Sequence, residues 1–304
     1  MADLAWQRAL TERDTERVRE LLLAVRAEDG RPELDERDGL PREFAGGEHL
    51  FVSDSSGYTH LDTGGDAFGR SVAELFVRPE ARGRGVGALL VTALLDRIGA
   101  RELRVWAHGD HPAAARLAVG FGFTRARELH RMRRQLADEL DEVQLPDGVR
   151  IRAFVPGQDE QAVLAVNAAA FSWHPEQGGL SLETLRRTER ESWFDPAGFL
   201  LAERDGRLLG FHWTKVHQRA AADESGRPMG EVYVIGVEQD AQGGGLGRAL
   251  TLAGLEYLRA AGLTQVMLYA ESDNPGAIAL YRKLGFDIWD NDVQYAHRAT
   301  GDRT

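Results

Sequence analysis

Hydrophobic and polar positions along this chain run in two alternating periods, that of a strand and that of a helix, and the whole succession occurs twice. In the first half the pattern predicts a strand over 4–9, a helix over 14–27, a polar, glycine-rich stretch over 28–47 and short strands near 49–53 and 71–77. A helix over 85–98, a strand over 103–107, a helix over 112–120 and a strand over 123–133 complete it. The second half repeats the order: a strand over 149–154, helices over 159–170 and 181–191, strands near 199–203 and 208–216, and a strand over 231–237. It ends with a helix over 245–261, a strand over 265–270, a helix over 275–284 and a strand over 286–297. This order predicts an α/β (α+β) protein of layered sheet and helices, built twice. The acidic stretch 135–148 closes on Leu145-Pro146-Asp147-Gly148, a turn signal suited to a linker. Domains are expected over 1–136 and 149–304, joined by 137–148.

The helices beginning at 85 and 245 open on glycine-rich turns, Arg82-Gly83-Arg84-Gly85-Val86-Gly87 and Gln242-Gly243-Gly244-Gly245-Leu246-Gly247. Each turn follows a strand, so successive backbone N–H groups and a helix N-terminus converge in the way that holds a pyrophosphate. Gly245 lies 160 residues after Gly85, and two further blocks match in order. Asp273-Asn274-Pro275-Gly276-Ala277 overlies Asp110-His111-Pro112-Ala113-Ala114, and Leu284-Gly285-Phe286 overlies Phe121-Gly122-Phe123, now 163 residues apart. A lone glycine pattern is weak, whereas three ordered blocks at matched spacing indicate duplication.

Composition narrows the function. At 304 residues each half is long enough for its own core. A net charge of −11 disfavours nucleic acid and anionic membrane as partners, since both would repel the molecule at long range. Nearly all the positive charge is arginine; the two lysines are Lys215 and Lys283. The chain has no cysteine, which removes disulfides, thiolate metal sites and a Cys-acyl intermediate together, so any acyl transfer would have to be direct. The first twenty residues are charged throughout, and no run approaches the roughly 18 apolar residues of a spanning helix. No signal peptide, a cytoplasmic location and a monomer are expected.

At these residues the chain resembles the GNAT superfamily of acyl-CoA-dependent N-acyltransferases, whose cradle reads Q/R-x-x-G-x-G/A. Both turns fit, and the later block with Asn274, Ala277, Tyr281, Gly285 and Phe286 is also a hallmark of that family. The resemblance implies two tandem domains, each a mixed, mostly antiparallel central sheet flanked by helices, with acetyl-CoA as cosubstrate and no metal. It implies cofactor contacts from Leu75, Phe76, Val77, Gly83, Arg84, Gly85, Val86, Gly87 and Ala88 in the first half. In the second half they are Ile235, Gly236, Val237, Gln242, Gly243, Gly244, Gly245, Leu246, Gly247, Arg248, Asn274 and Ala277. The tandem layout and the runs His174-Pro175-Glu176-Gln177-Gly178-Gly179, Gly210-Phe211-His212-Trp213-Thr214-Lys215 and Glu271-Ser272-Asp273-Asn274 are similar to the mycothiol synthase family. That family moves acetyl from acetyl-CoA to the cysteinyl amine of cysteinyl-glucosaminyl-inositol, the last step in making mycothiol. Gly243-Gly244 departs from it, since the family often carries arginines there; lower cofactor affinity is expected.

Amide formation from a thioester needs a donor to the developing oxyanion, a base for the amine and a proton for the departing thiolate. Backbone N–H groups within Ile235-Gly236-Val237 are the expected oxyanion donors, with Gly236 admitting the thioester; a glycine bulge in a buried strand would account for Gly236 equally. A cysteinyl amine titrates near 8, so a carboxylate suffices as base, and Glu231 is the candidate, a solvated strand-start glutamate being the bland alternative. Tyr281, the family's thiolate-protonating tyrosine, has a phenol matched to that task, although its spacing also suits a core aromatic. The first half has Ser71 and Ala118 at the corresponding counts, so it is expected to bind acetyl-CoA without catalysing this reaction, with Glu74 left as a possible base.

The resemblance implies acceptor contacts from Glu36, Glu176, Lys215, Glu231 and Tyr269, with Glu36 placing a small-molecule amine acceptor in a groove between the domains. His174 and His212 are alternative bases, and neither has a metal-binding partner at ligand spacing. Two other functions fit the residues: a tandem acyltransferase acting on an aminoglycoside or a peptide N-terminus, and a non-catalytic acyl-CoA sensor. A sensor would have lost acid and base from both halves, and only the first half shows that loss.

Overall fold

The computed structural model describes residues 4–30, 40–41, 44, 46–66, 68–172, 174, 177–217 and 228–298. The chain forms two compact units, Met1–His130 with Glu271–Asp273 and Asp290–Thr304, and Arg131–Ala270 with Asn274–Trp289. The sequence repeat divides near 137–148, but the compact units interleave along the chain: residues 290–297 of the last strand belong to the first unit, and residues 131–135 to the second. Both units are α/β, with a mixed, mostly antiparallel sheet flanked by helices, as the resemblance implies.

In the first unit, β1 (Leu4–Gln7), β2 (Glu48–Val52), β3 (Gly57–Asp62) and β4 (Ser71–Val77) pair antiparallel in sequence order. β5 (Leu103–Ala107) lies parallel to β4, and residues 293–297 of the final strand pair antiparallel with β5. α1 (Glu12–Asp29) starts on a Thr11 capping box and stops at Gly30, and it buries Val18, Leu21, Leu22 and Val25 against Phe51, Tyr58 and Phe76. Each such side chain contributes about 1.5–3 kcal/mol of burial. α2 (Val86–Ile98) and α3 (Pro112–Gly120) cover the other face, where Val91, Leu94, Ile98 and Ala118 meet Ala73, Leu103 and Val105. β6 (Thr124–Gln135) leads into the second unit.

β3 is not among the strands that hydropathy predicts. Its Thr59 and His60 are buried yet satisfied, Thr59 Oγ1 donating to Glu74 O at 2.6 Å and His60 Nε2 lying 2.8 Å from Gly46 O. Internal polar pairs of this kind hide a strand from hydrophobic alternation.

The second unit repeats the plan. β7 (Arg150–Ala153), β8 (Phe199–Arg204), β9 (Arg207–His217) and β10 (Met229–Val237) are antiparallel, and β11 (Gln265–Glu271) lies parallel to β10. α4 (Glu160–Ala170) and α5 (Leu182–Thr188) precede β8; α6 (Leu246–Ala260) and α7 (Pro275–Lys283) follow β10 and β11, ahead of β12 (Asp287–His297). Leu252, Leu255 and Leu258 of α6 pack on Val232, Val266, Leu268 and Ala270, with Tyr281 in the same cluster.

Candidate active site

The parallel pair β4–β5 is in register from Ser71 with Leu103 to Glu74 with Trp106, and β10–β11 from Gly230 with Val266 to Val232 with Leu268. Beyond those points the strands part while β4 and β10 continue to Val77 and Val237. Amides at the ends of β4 and β10 are thereby left without a ladder partner on that side, which is the backbone requirement for an oxyanion donor.

The glycine turns follow directly. Gly83 and Gly243 have φ of 73° and 81°, and Gly85 and Gly245 have φ of 87° and 85°, a left-handed backbone that glycine adopts without strain. Gly85 and Gly245 are N-caps without a side-chain cap, and the first intrahelical bonds run from Leu89 N to Gly85 O and from Ala249 N to Gly245 O. The N–H groups of Val86, Gly87 and Ala88, and of Leu246, Gly247 and Arg248, therefore lie ahead of the ladder, open to an anion. A Cβ on Gly247 would approach nothing nearer than 3.9 Å, so that glycine leaves space rather than relieving a packing clash. These features fit the pyrophosphate of a coenzyme A thioester.

The first cradle residue has the same task in both units: Arg82 Nε donates to Val77 O at 3.3 Å and Gln242 Nε2 to Val237 O at 3.1 Å, tying the turn to the strand end. Arg82 is further held by Asp29, bidentate at 2.8 and 2.6 Å. Arg248 pairs with Asp141. Asn274 caps α7 by accepting from Ala277 N at 3.0 Å, as His111 caps α3 by accepting from Ala113 N at 3.1 Å. Gly236 has a reason of its own: a Cβ there would meet Phe211 at 2.9 Å and Phe171 at 3.2 Å, so its bareness serves packing.

Glu231 sits in register with Lys215 and Met267, which places the three on one sheet face, while Val232 and Leu268 point to the α6 side. Tyr269, two residues beyond Met267, shares the Glu231 face and packs with Met229 and Met267. Lys215 Nζ lies 5.0 Å from the Trp193 ring centre and 5.3 Å from that of Tyr233, so two aromatic faces hold its ammonium. Glu231 is 5 % exposed, and its Oε2 lies 2.6 Å from His217 Nε2. Sequence reasoning did not single out His217, because its partnership depends on the β9–β10 register. Tyr281 belongs to the opposite face, packed with Val232, Leu268, Ala270 and Phe286, and burial pushes its phenol up to about 12. Glu231 and Tyr281 thus flank, from opposite faces, the place where β10 and β11 part. Glu36 and Glu176 lie outside the described residues.

Two expectations change. A β-bulge between Val232 and Val234 shifts the register of β10, so the counterpart of Glu231 in the first unit is Val72, paired with Arg104 as Glu231 is with Met267. Counting residues gives Ser71 instead. His212 is not a base: fully buried under α6, with Nδ1 2.8 Å from Leu250 O, it is driven by burial down to about 4. Among the described residues no group of three His, Cys, Asp or Glu side chains is arranged to hold a metal, and no helix is long and apolar enough to cross a membrane.

The sequence profile of the acetyltransferase (GNAT) family matches residues 16–123 and 167–286. The mycothiol acetyltransferase of Saccharomonospora viridis is 55 % identical over 97 % of this chain and 99 % of its own length. That of Amycolatopsis mediterranei is 54 % identical over 96 % and 98 %. Among solved structures, a GCN5-related N-acetyltransferase from Sphaerobacter thermophilus aligns with a TM-score of 0.70 at 23 % identity, covering 97 % of this chain and 95 % of its own. A tandem GNAT protein from the clavulanic acid biosynthesis pathway aligns at 0.67 and 20 %, over 99 % and 100 %. These two likenesses concern the fold.

Proposed function

The chain belongs to the acetyltransferase (GNAT) family and, within it, to the mycothiol acetyltransferases, and from that premise we propose that its second unit carries acetyl from acetyl-CoA to the cysteinyl amine of cysteinyl-glucosaminyl-inositol. Acyl-CoA-dependent N-acetyl transfer within mycothiol biosynthesis is the activity of the family, with a small molecule as acceptor. The assignment of roles to residues is the proposal, and the observation that carries it is the placement of Glu231 and Tyr281 on opposite faces of strands that part just beyond Val232 and Leu268.

In this reading the cradle amides of Leu246, Gly247 and Arg248 hold the pyrophosphate and the thioester lies in the gap between β10 and β11. Amides at the end of β10 donate to the carbonyl oxygen as it gains charge. Glu231, held by His217, takes the proton of the attacking amine, which near neutral pH is only loosely bound. Tyr281, kept protonated by its burial, gives its proton to the departing sulfur from the other face. Lys215 and Tyr269, on the Glu231 face, bind the acceptor, and Glu36 and Glu176 are carried as acceptor contacts on resemblance alone. The chain acts without a metal, as a cytoplasmic monomer, and takes no nucleic acid.

The first unit is proposed to take up acyl-CoA without carrying transfer to this conjugate. It has a cavity of about 700 Å³ lined by Leu75, Val77, Gly85, Gly87 and Ala118, while Val72 and Ala118 stand where Glu231 and Tyr281 act. An acetyl-transfer assay comparing cysteinyl-glucosaminyl-inositol with glucosaminyl-inositol and free cysteine tests the acceptor. Strong preference for the whole conjugate is expected; equal turnover of free cysteine would overturn it.

A further inference from the structure

The cavity of the first unit contains a phenol that the sequence repeat does not predict. In the second unit Tyr281 of α7 packs in one cluster with Met132 of β6. The counterparts, each 163 residues away, are Ala118 of α3 and Tyr295 of β12, and these two also share a cluster, with Val105 and Phe123. The aromatic residue has moved from the helix to the strand that faces it. Tyr295 is 5 % exposed and lines the cavity, and its hydroxyl has no hydrogen-bond partner. A buried phenol left unpaired is unfavourable, and a ligand atom in the cavity would satisfy it.

The other face carries a carboxylate. Glu74 is the last residue of β4 in register with β5, opposite Trp106, and β4 and β5 part immediately after it. His108, which lines the cavity, has Nε2 3.1 Å from Glu74 Oε2 and Nδ1 3.5 Å from Asp292 Oδ2. The imidazole is thereby bridged between two carboxylates, which fixes one oxygen of Glu74. Ala73 points to the side of Val105, Ala118 and Tyr295, so Glu74, its neighbour along the strand, points to the other. Phenol and carboxylate therefore flank the opening between β4 and β5 from opposite faces, as Tyr281 and Glu231 flank that between β10 and β11.

We propose that the cavity of the first unit is a second acyl-transfer site, acting on a small primary amine, in which Tyr295 protonates the departing sulfur and Glu74 accepts the amine proton. The amine nitrogen bonds to the acyl carbon as the carbon–sulfur bond breaks. The nitrogen's proton passes to the free oxygen of Glu74, and the thiolate takes the proton of Tyr295. Amides at the end of β4 hold the carbonyl oxygen, and solvent exchange returns the proton from Glu74 to Tyr295. The inference rests on the reading that the first unit takes up acyl-CoA.

The test starts from a chain silenced in the second unit by Glu231→Gln with Tyr281→Phe. Acetyl-CoA bound per chain is counted by calorimetry, and coenzyme A release is followed with and without glycinamide as probe amine. Two bound acetyl-CoA per chain and a glycinamide-dependent release are expected. That release should fall at least tenfold when Tyr295→Phe or Glu74→Gln is added, with both ligands still bound. One bound acetyl-CoA would refute uptake by the first unit. Two bound ligands with no amine-dependent release, or with a release that Tyr295→Phe leaves unchanged, would overturn the second site alone.

Discussion

His217 Nε2 lies 2.6 Å from Glu231 Oε2 with both side chains 7 % exposed, which fixes one oxygen of the carboxylate; in the proposed reaction the other takes the amine proton. Glu231→Gln keeps the shape and removes the basicity, so kcat should fall by about 10²–10⁴ while acetyl-CoA binding is unchanged. His217→Gln removes only the orienting ring, and a smaller loss of kcat is expected, with KM for acetyl-CoA again unmoved. Steady-state kinetics on both variants check this; full kcat in Glu231→Gln would remove Glu231 from the chemistry.

Tyr281 should be tested as phenylalanine, because its ring is part of the core and truncation to alanine would cost about 3–5 kcal/mol of stability. Tyr281→Phe is expected to lower kcat by about 10² with little change in melting temperature. Since burial holds the phenol near 12, it stays protonated throughout neutral and mildly alkaline pH. The wild-type rate should therefore show no alkaline decline from this group below about pH 11. A pH–rate profile on enzyme checked for folding decides it.

The cradles were legible in the sequence because a left-handed backbone at Gly83, Gly85, Gly243 and Gly245 is a local demand that leaves glycine in place. Tyr281 came from the resemblance, because its spacing on the helix suits a core aromatic equally and the ring does pack in the core. What escaped depends on partners remote in sequence. His217 meets Glu231 only through the β9–β10 register, and the bulge at Val232 and Val234 makes Val72 rather than Ser71 the counterpart of Glu231. Tyr295 escaped because a repeat alignment compares helix with helix, while the phenol of the first unit comes from the strand facing Ala118.

The two unusual cradle glycines separate on physical grounds. Gly243 has φ 81°, as Gly83 does at the same place in the first unit, so Gly243→Arg should be strained by about 1 kcal/mol or more. Gly244 has no such φ, a Cβ there would meet nothing within 4 Å, and its counterpart is Arg84. Gly244→Arg should fold normally and lower KM for acetyl-CoA several-fold by adding a charge beside the pyrophosphate. Equal KM values in wild type and Gly244→Arg would show that backbone amides alone set cofactor affinity.

Two buried histidines and one half-buried one set opposing pH limits on stability. Burial drives His212 down to about 4, and burial followed by the neighbouring His60 charge drives His49 to about 4, with Asp14 working against it. The unfolded chain takes up these protons near pH 6.5, the folded chain only near 4. Their contribution is therefore present above about 6.5 and lost as pH falls through that window, on the order of 3 kcal/mol for His212. His108 runs the other way: burial opposes its charge, but the hydrogen bonds to Asp292 and Glu74 outweigh it and hold the imidazole up to about 10. Its contribution is complete below about 6.5 and lost as pH rises towards 10. The melting temperature should peak near pH 6.5 and decline on both sides. His108→Asn should lower it most below about pH 6.5 and progressively less towards pH 10, flattening the alkaline limb, because the group that releases a proton on that side is gone. A melting temperature that climbs from pH 6.5 to 4 would contradict the buried neutral histidines.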